Sequence, residues 1–437
     1  MRYKNWSIPY LFSYALFFFA RKGYYRKVSK KGIKNIPKGK PVIFAINHQN
    51  SLVDPCIVAT TTLTPVYFLA RSDVFKISFV SKILHSINMM PIFRQKDGDN
   101  FKEKNLEIFE KCATILSKNG RIMIFPEGSN NSNNRLRVIK KGIARIALDA
   151  NLKSKEDVFI VPVGLNYSNK KNKCADLFVN YGEAINVSKI IEEVGETDNE
   201  NEIFAPVMEI LKVRMQNLIL HYDNEEFYNL YEFLLFNIRQ NKSRFNTILS
   251  HNFEIKKEKN VKITNWIKEN PTVAKQHLFD SEFIKKECEE NKIKPYLLEN
   301  KKHTLSYSFF VLIVCFPVFL YGSLNNYFPY VLPQKLVLKK IKDTQFHQAV
   351  NMIVGALFFS IFWAIQTFLV SIFTDNYIWI LYLISLPISG WLSFEYYIKY
   401  RRFIGKQKYN SLLKTNVALM KELREKYLKL KEFITYL

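Results

Sequence analysis

Apolar and polar positions along the chain change rhythm several times. Residues 1–35 join an apolar stretch, Trp6 to Ala20, to a basic one holding Arg21, Lys22, Arg26 and Lys27. Residues 36–220 alternate short apolar runs with longer amphipathic ones. The runs Pro41–Ile46, Pro65–Ala70, Arg121–Phe125 and Val158–Val163 read as buried strands. Between them, Lys104–Leu116 and Ile139–Ala150 carry helical periodicity. Strands interleaved with helices predict an α/β domain, a mixed sheet flanked by helices.

Residues 221–303 are polar and rich in Glu, Lys and Asn, with apolar positions at helical spacing and no catalytic constellation, which predicts a soluble helical subdomain. Residues 304–400 are dominated by apolar stretches and predict a helical C-terminal membrane region. Val350–Phe373 and Tyr377–Ile398 are each long enough to cross a bilayer of about 30 Å. Residues 401–437 form a basic amphipathic tail, read as a surface helix from Leu412 to Leu437. The N-terminal stretch is short for a full span, and its charges follow the apolar run instead of preceding it. That pattern predicts an interfacial anchor in place of a cleavable signal.

Topology follows from the basic loops. Lys335, Lys339, Lys340 and Lys342, and again Lys399, Arg401, Arg402, Lys406 and Lys408, favour the cytoplasmic side, whereas Thr374–Asn376 has no positive charge. One arrangement satisfies all three: Leu305–Pro333 is re-entrant, turning between Pro317 and Asn326, and the next two segments form a hairpin. The alternative is an ordinary three-span tail.

Composition narrows the partners. The net charge of +25 suits nucleic acid or an anionic lipid membrane, and 36 Phe with 24 Tyr favour the membrane interface. No nucleic-acid-binding motif is present. Five cysteines, at 56, 112, 174, 288 and 315, form no CxxC pair, which argues against a disulfide framework and against a metal site.

Four blocks carry candidate chemistry. In Asn47-His-Gln-Asn-Ser-Leu-Val-Asp54 a histidine and a carboxylate follow a predicted strand. A neutral imidazole can take the proton of an attacking hydroxyl, and a carboxylate on its other nitrogen fixes the tautomer. A separation of six positions brings the two together only if the chain turns between them. Asp54-Pro55 equally suits an ordinary helix start. In Ile122-Met-Ile-Phe-Pro-Glu-Gly-Ser129 the glycine permits amides to face an anion, while Glu127 fits a phosphate site only by binding a hydroxyl or orienting amides. Pro91-Ile-Phe-Arg94 ends in a guanidinium suited to a phosphate clamp, and Lys140-Lys141-Gly142 opens a helix that can supplement it. Ile160-Val-Pro-Val-Gly164 is a strand with an internal proline, which restricts it to an edge, a strand start or a bulge.

In order and context these blocks resemble the glycerolipid acyltransferase family, which includes glycerol-3-phosphate and lysophosphatidate (1-acylglycerol-3-phosphate) acyltransferases. The resemblance covers roughly residues 36–190. It implies an O-acyltransferase with His48 as general base, Asp54 as its orienting partner, and Arg94, Glu127, Gly128, Ser129 and Lys141 at the acceptor's phosphate. It further implies acyl-CoA or acyl carrier protein as donor, no cofactor or metal, and a catalytic domain on the cytoplasmic face of the membrane. Five residues separate the histidine from the aspartate where the commonest family spacing has four, a mark shared with a glycerol-3-phosphate branch, so that acceptor is expected first and lysophosphatidate second. The arginine common after the PEG turn is replaced by Asn130, with Arg135 and Arg137 further on. A noncatalytic membrane protein retaining the fold is the rival reading, and the presence of both His48 and Asp54 weighs against it.

Overall fold

The computed structural model describes residues 6–437 apart from 63, 131–132, 171–174, 239–249, 342–346 and 375–376. Cys174, Lys342 and the Asp375-Asn376 link lie outside the described residues. The chain divides into two units, one of Met1–His221 with Thr247–Lys257, the other of Tyr222–Asn246 with Glu258–Leu437.

The first unit runs α1 (Ile8–Tyr24), β1 (Lys27–Lys31), β2 (Val42–Ile46), α2 (Val53–Thr62), β3 (Tyr67–Arg71), α3 (Ser78–Ser86), β4 (Met89–Ile92), α4 (Phe101–Ser117) and β5 (Arg121–Ile124). It continues with α5 (Gly142–Lys153), β6 (Phe159–Tyr167), β7 (Asp176–Tyr181), β8 (Ile185–Asn186), α6 (Val187–Val194) and α7 (Glu200–Leu218). The eight strands form one mixed sheet in the order β1-β7-β6-β2-β5-β3-β4, with β8 also on β6. β6, β2, β5, β3 and β4 run parallel, and β7 turns antiparallel to β6. Every residue of β2 is buried, as an unbroken apolar run requires when helices cover both faces of a parallel sheet. On one face Ile43, Ile122 and Ile160 join the core with α4, α5 and α7. On the other, Tyr181 packs edge-on to Phe44 and bonds the Thr61 hydroxyl of α2 at 2.6 Å.

The sheet begins at Lys27, ahead of the expected boundary at residue 36. β1 reads Lys-Val-Ser-Lys-Lys and gives no apolar alternation, because it is an edge strand paired on one side. Pro162 lies inside an interior strand, not at an edge. It is tolerated because β8 pairs with β6 only at Phe159 and Ile160, and β7 only from Val163 onward. Its missing N–H falls in that gap.

The second unit holds α8 (Tyr228–Glu232), most of α9 (Ser250–Glu269), α10 (Pro271–Glu290), α11 (Ser306–Lys340), α12 (His347–Phe373), α13 (Ile378–Thr415) and α14 (Val417–Tyr436). α11, α12 and α13 are long and apolar enough to cross a membrane. Two expectations are corrected here. Leu305–Pro333 does not turn back at Pro317–Asn326, for α11 is one continuous helix of 35 residues. A proline frees the carbonyl four residues earlier, and α11 meets this with a neighbour: Pro329 frees Asn325 O, which accepts a 3.0 Å bond from Gln366 Nε2 of α12. Nor is the tail a free surface helix. Met420, Leu423, Tyr427, Leu430 and Ile434 of α14 are buried, with Lys426 on Asp280 and Lys431 on Glu299 at 2.6 Å each, and Phe433 against Trp266. The stripe that suggested lipid is covered by protein.

Candidate active site

The motifs lie where parallel strands end. β2 and β5 are neighbours, so the segments leaving them, Asn47–Asp54 and Phe125–Ser129, meet at the carboxyl edge of the sheet, the usual place for ligands in open α/β folds. Asn47 extends the β2–β6 ladder with its side chain: Oδ1 accepts from Leu165 N–H at 2.7 Å and Nδ2 donates to Leu165 O at 3.1 Å.

The chain then turns tightly. Asn50 O accepts the amides of Val53 and Asp54, and Ser51 takes a positive φ of 32°. This brings the Asp54 carboxylate back over the turn. Its Oδ2 accepts the amides of Gln49 at 2.8 Å and Asn50 at 2.7 Å and lies 2.9 Å from His48 Nδ1. Its Oδ1 accepts the Tyr167 hydroxyl. Asp54 is fully buried, while the His48 side chain keeps 18% exposure. The His48 ring stacks on Phe125 at 4.1 Å. With Nδ1 committed to Asp54, Nε2 is the nitrogen left for chemistry.

Electrostatics keep the neighbours passive. Burial, reinforced by the Asp54 charge, pushes the Tyr167 phenol well above its ordinary value, so it remains a donor. The same two causes raise the Cys56 thiol, which therefore supplies no thiolate nucleophile beside the pair.

The PEG turn is fastened to the histidine. Glu127 is buried, and its two oxygens accept His48 N–H at 2.8 Å and Arg137 N–H at 3.0 Å. Burial raises its carboxyl above the usual range even against those two donors. Of its expected roles, orienting amides is the one its geometry matches. Gly128 sits at φ 70°, where a side chain is strained, under the Lys140 ammonium. Ser129 Oγ accepts from Arg137 Nη1 at 2.6 Å, so Arg137 returns to the turn that lacks the family's usual arginine.

His48, Asp54, Glu127, Gly128 and Ser129 are thus brought together. Arg94 and Lys141 bond elsewhere. Arg94 Nη2 contacts Asp73 at 3.1 Å and Asp97 at 3.2 Å, and its own amide donates to Asp97 at 2.8 Å. Arg94 in turn holds the Asp97 carboxyl well below the carboxylate range. Lys141 Nζ donates to Asn201 Oδ1 of α7 at 2.7 Å on an exposed face. Sequence reasoning passed over Tyr167, gave no role to Asn47 or Phe125, and named Arg137 only as lying beyond the PEG turn. Tyr167 stands 113 positions from Asp54 and has no local signal, whereas Phe125 ends the apolar run that leads into the PEG turn. No cluster of three or more metal-ligating side chains occurs among the described residues.

Residues 27–166, which hold the buried carboxylate, the histidine and the PEG turn, match the family model described as Acyltransferase. The 1-acyl-sn-glycerol-3-phosphate acyltransferase of Borreliella burgdorferi is 32% identical over 144 residues, 33% of this chain and 52% of that protein. The chloroplastic 1-acyl-sn-glycerol-3-phosphate acyltransferase of Arabidopsis thaliana is 25% identical over 141 residues, 32% of this chain and 36% of that protein. The chain therefore spans between about a third and a half of the length of these relatives. Among solved structures, the 1-acyl-sn-glycerophosphate acyltransferase of Thermotoga maritima aligns over 47% of this chain and 79% of its own, at 20% identity and a TM-score of 0.34.

Proposed function

We propose that this protein transfers a fatty acyl group from acyl-CoA or acyl carrier protein to the free hydroxyl of 1-acylglycerol-3-phosphate. The observation that carries the reading is the His48–Asp54 pair, with Asp54 fixed by two amides and a phenol and bound to Nδ1 of a partly exposed His48. His48 Nε2 takes the hydroxyl proton as the oxygen attacks the thioester carbonyl. The tetrahedral intermediate then collapses, the carbon–sulfur bond breaks, and the proton returns from the imidazolium to the leaving thiolate. Asp54 stabilises the cation between these steps. No covalent enzyme intermediate is needed.

The acceptor follows the names of the relatives, which are all 1-acylglycerol-3-phosphate acyltransferases. Glycerol-3-phosphate, the first expectation, rests on the five-residue gap between His48 and Asp54 alone and becomes the second reading. Both acceptors are anionic, in keeping with the charge of +25. The exposed Ile8, Phe12 and Phe19 of α1 suit an interfacial anchor. The catalytic unit faces the cytoplasm, where acyl-CoA and acyl carrier protein are found.

Membranes holding the protein, offered each acceptor separately with each donor, test the assignment. Phosphatidate formed from lysophosphatidate supports it. Product from glycerol-3-phosphate alone moves the protein to the second reading, and no acyl transfer to either overturns both.

A further inference from the structure

Three apolar helices in series imply three crossings, and three crossings put the flanking segments on opposite faces of a bilayer. The second unit does not allow this. Ahead of α11, His303 N–H donates to Asn410 Oδ1 at 3.0 Å and His303 O accepts from Asn410 Nδ2 at 2.7 Å, while Asn300 O accepts the Tyr409 hydroxyl at 2.8 Å. Glu299 pairs with Lys431, and Asp280 with Lys426. The segment entering α11 and the segment leaving α13 are therefore packed together at one end.

From that end α11 and α13 run antiparallel. Phe309 stacks on Phe403, Phe319 on Tyr396, and Ser393 Oγ donates to Phe319 O. Further along, Gly322 lies under Ser389 and Ser393, Asn326 Nδ2 donates to Leu386 O at 3.2 Å, and the Tyr382 hydroxyl donates to Asn325 Oδ1 at 2.6 Å. As α11 advances from 309 to 326, its partners on α13 retreat from 403 to 386. At about 1.5 Å per residue, the paired stretches cover most of a 30 Å hydrocarbon core. Two helices paired antiparallel over such a length cross together or not at all.

If both cross, Lys340 and Ile378 emerge on the same face, and α12 begins and ends there. We infer that α11 and α13 are the two membrane spans, and that α12 is an intramembrane or interfacial helix that does not cross. The inference rests on the reading of this unit as a membrane region, not on the acceptor assignment. A helix satisfies its own backbone bonds and can be held in lipid without spanning. Polar side chains supply the hold: Trp363 Nε1 donates to Asn326 Oδ1 at 2.9 Å, and Gln366 donates to the carbonyl that Pro329 frees. Near the shared end stand Lys294, Lys301 and Lys302 ahead of α11 and Arg401, Arg402 and Lys406 within α13, which sets that end in the cytoplasm. Lys335, Lys339 and Lys340 are fewer and lie outside it.

Single cysteines at exposed positions test this in the full-length protein, with labelling of the unsubstituted chain subtracted. Lys340→Cys and Tyr377→Cys bracket α12, and Lys302→Cys and Gln407→Cys mark the shared end. An impermeant maleimide on intact cells is expected to label the first two alike, and the second two only after permeabilisation, with a severalfold rise. Lys339→Cys and Ile378→Cys replace any variant that fails to insert. Opposite sidedness at 340 and 377 shows that α12 crosses and overturns the inference. Equal sidedness at 302 and 340 shows that α11 does not cross and overturns it as well. Labelling of 302 and 407 alone in intact cells overturns the orientation.

Discussion

Replacing Asp54 by asparagine or by alanine separates its two jobs. The carboxylate holds the Gln49–Val53 turn through two buried amides, and it orients His48 and faces the cation that forms during transfer. Asparagine can keep its carbonyl oxygen where Oδ2 stands, still accepting from Gln49, Asn50 and His48. Its amide nitrogen then faces the Tyr167 hydroxyl, which can reverse from donor to acceptor. The turn survives, but no anion remains to stabilise the imidazolium. Asp54→Asn is expected to fold and insert normally while turnover falls by about 10²–10⁴-fold, roughly 3–5 kcal/mol of barrier. Asp54→Ala leaves both amides buried and unpaired, at about 1–3 kcal/mol each, so roughly 2–6 kcal/mol of stability is lost together with activity. Acyl transfer in membranes, read beside thermal unfolding of the detergent-extracted protein, distinguishes the variants. Near-normal turnover in Asp54→Asn would refute the general-base assignment. Equal unfolding temperatures for the two variants would refute the structural half.

His48→Ala should abolish transfer with unfolding unchanged, a loss of at least about 10²-fold in rate. Tyr167→Phe leaves one oxygen of a buried carboxylate without its donor and should lower stability by about 1–3 kcal/mol, with a smaller fall in turnover than Asp54→Asn. Arg94→Ala should raise the acceptor KM and leave the donor KM unchanged if the arginine meets the phosphate; equal weakening of both would mark a strut between Asp73 and Asp97. Because burial raises the Glu127 carboxyl in the folded state, this group's stability is fully present below its unfolded value of about 4.3 and is lost as pH rises toward the raised folded value. Glu127→Gln should therefore flatten the fall of unfolding temperature across that window, and an unchanged pH profile would count against the shift.

The sequence alone determined the α/β class, four of the eight strands, the family-like blocks and their order, and the apolar C-terminal region. Each of these is local. A buried parallel strand must be a short apolar run, the PEG turn takes its positive φ at a glycine, and a helix in lipid must be apolar over its length. What lies far along the chain had no such signature. Tyr167 reaches Asp54 only because β6 pairs beside β2. Pro162 is allowed in an interior strand only because β8 stops before β7 begins. β1 is basic and β8 has two residues, so neither offers an alternation to read. Arg94 looked available for phosphate until Asp73 and Asp97 closed on it. The stripe of α14 and the apolar faces of α11 and α13 look alike in sequence, yet one is covered by protein and the others carry broad exposed apolar surface. Hydrophobic periodicity reports that a face is withdrawn from water. What withdraws it is settled by packing, because lipid and a neighbouring helix make the same demand on the residues beneath them.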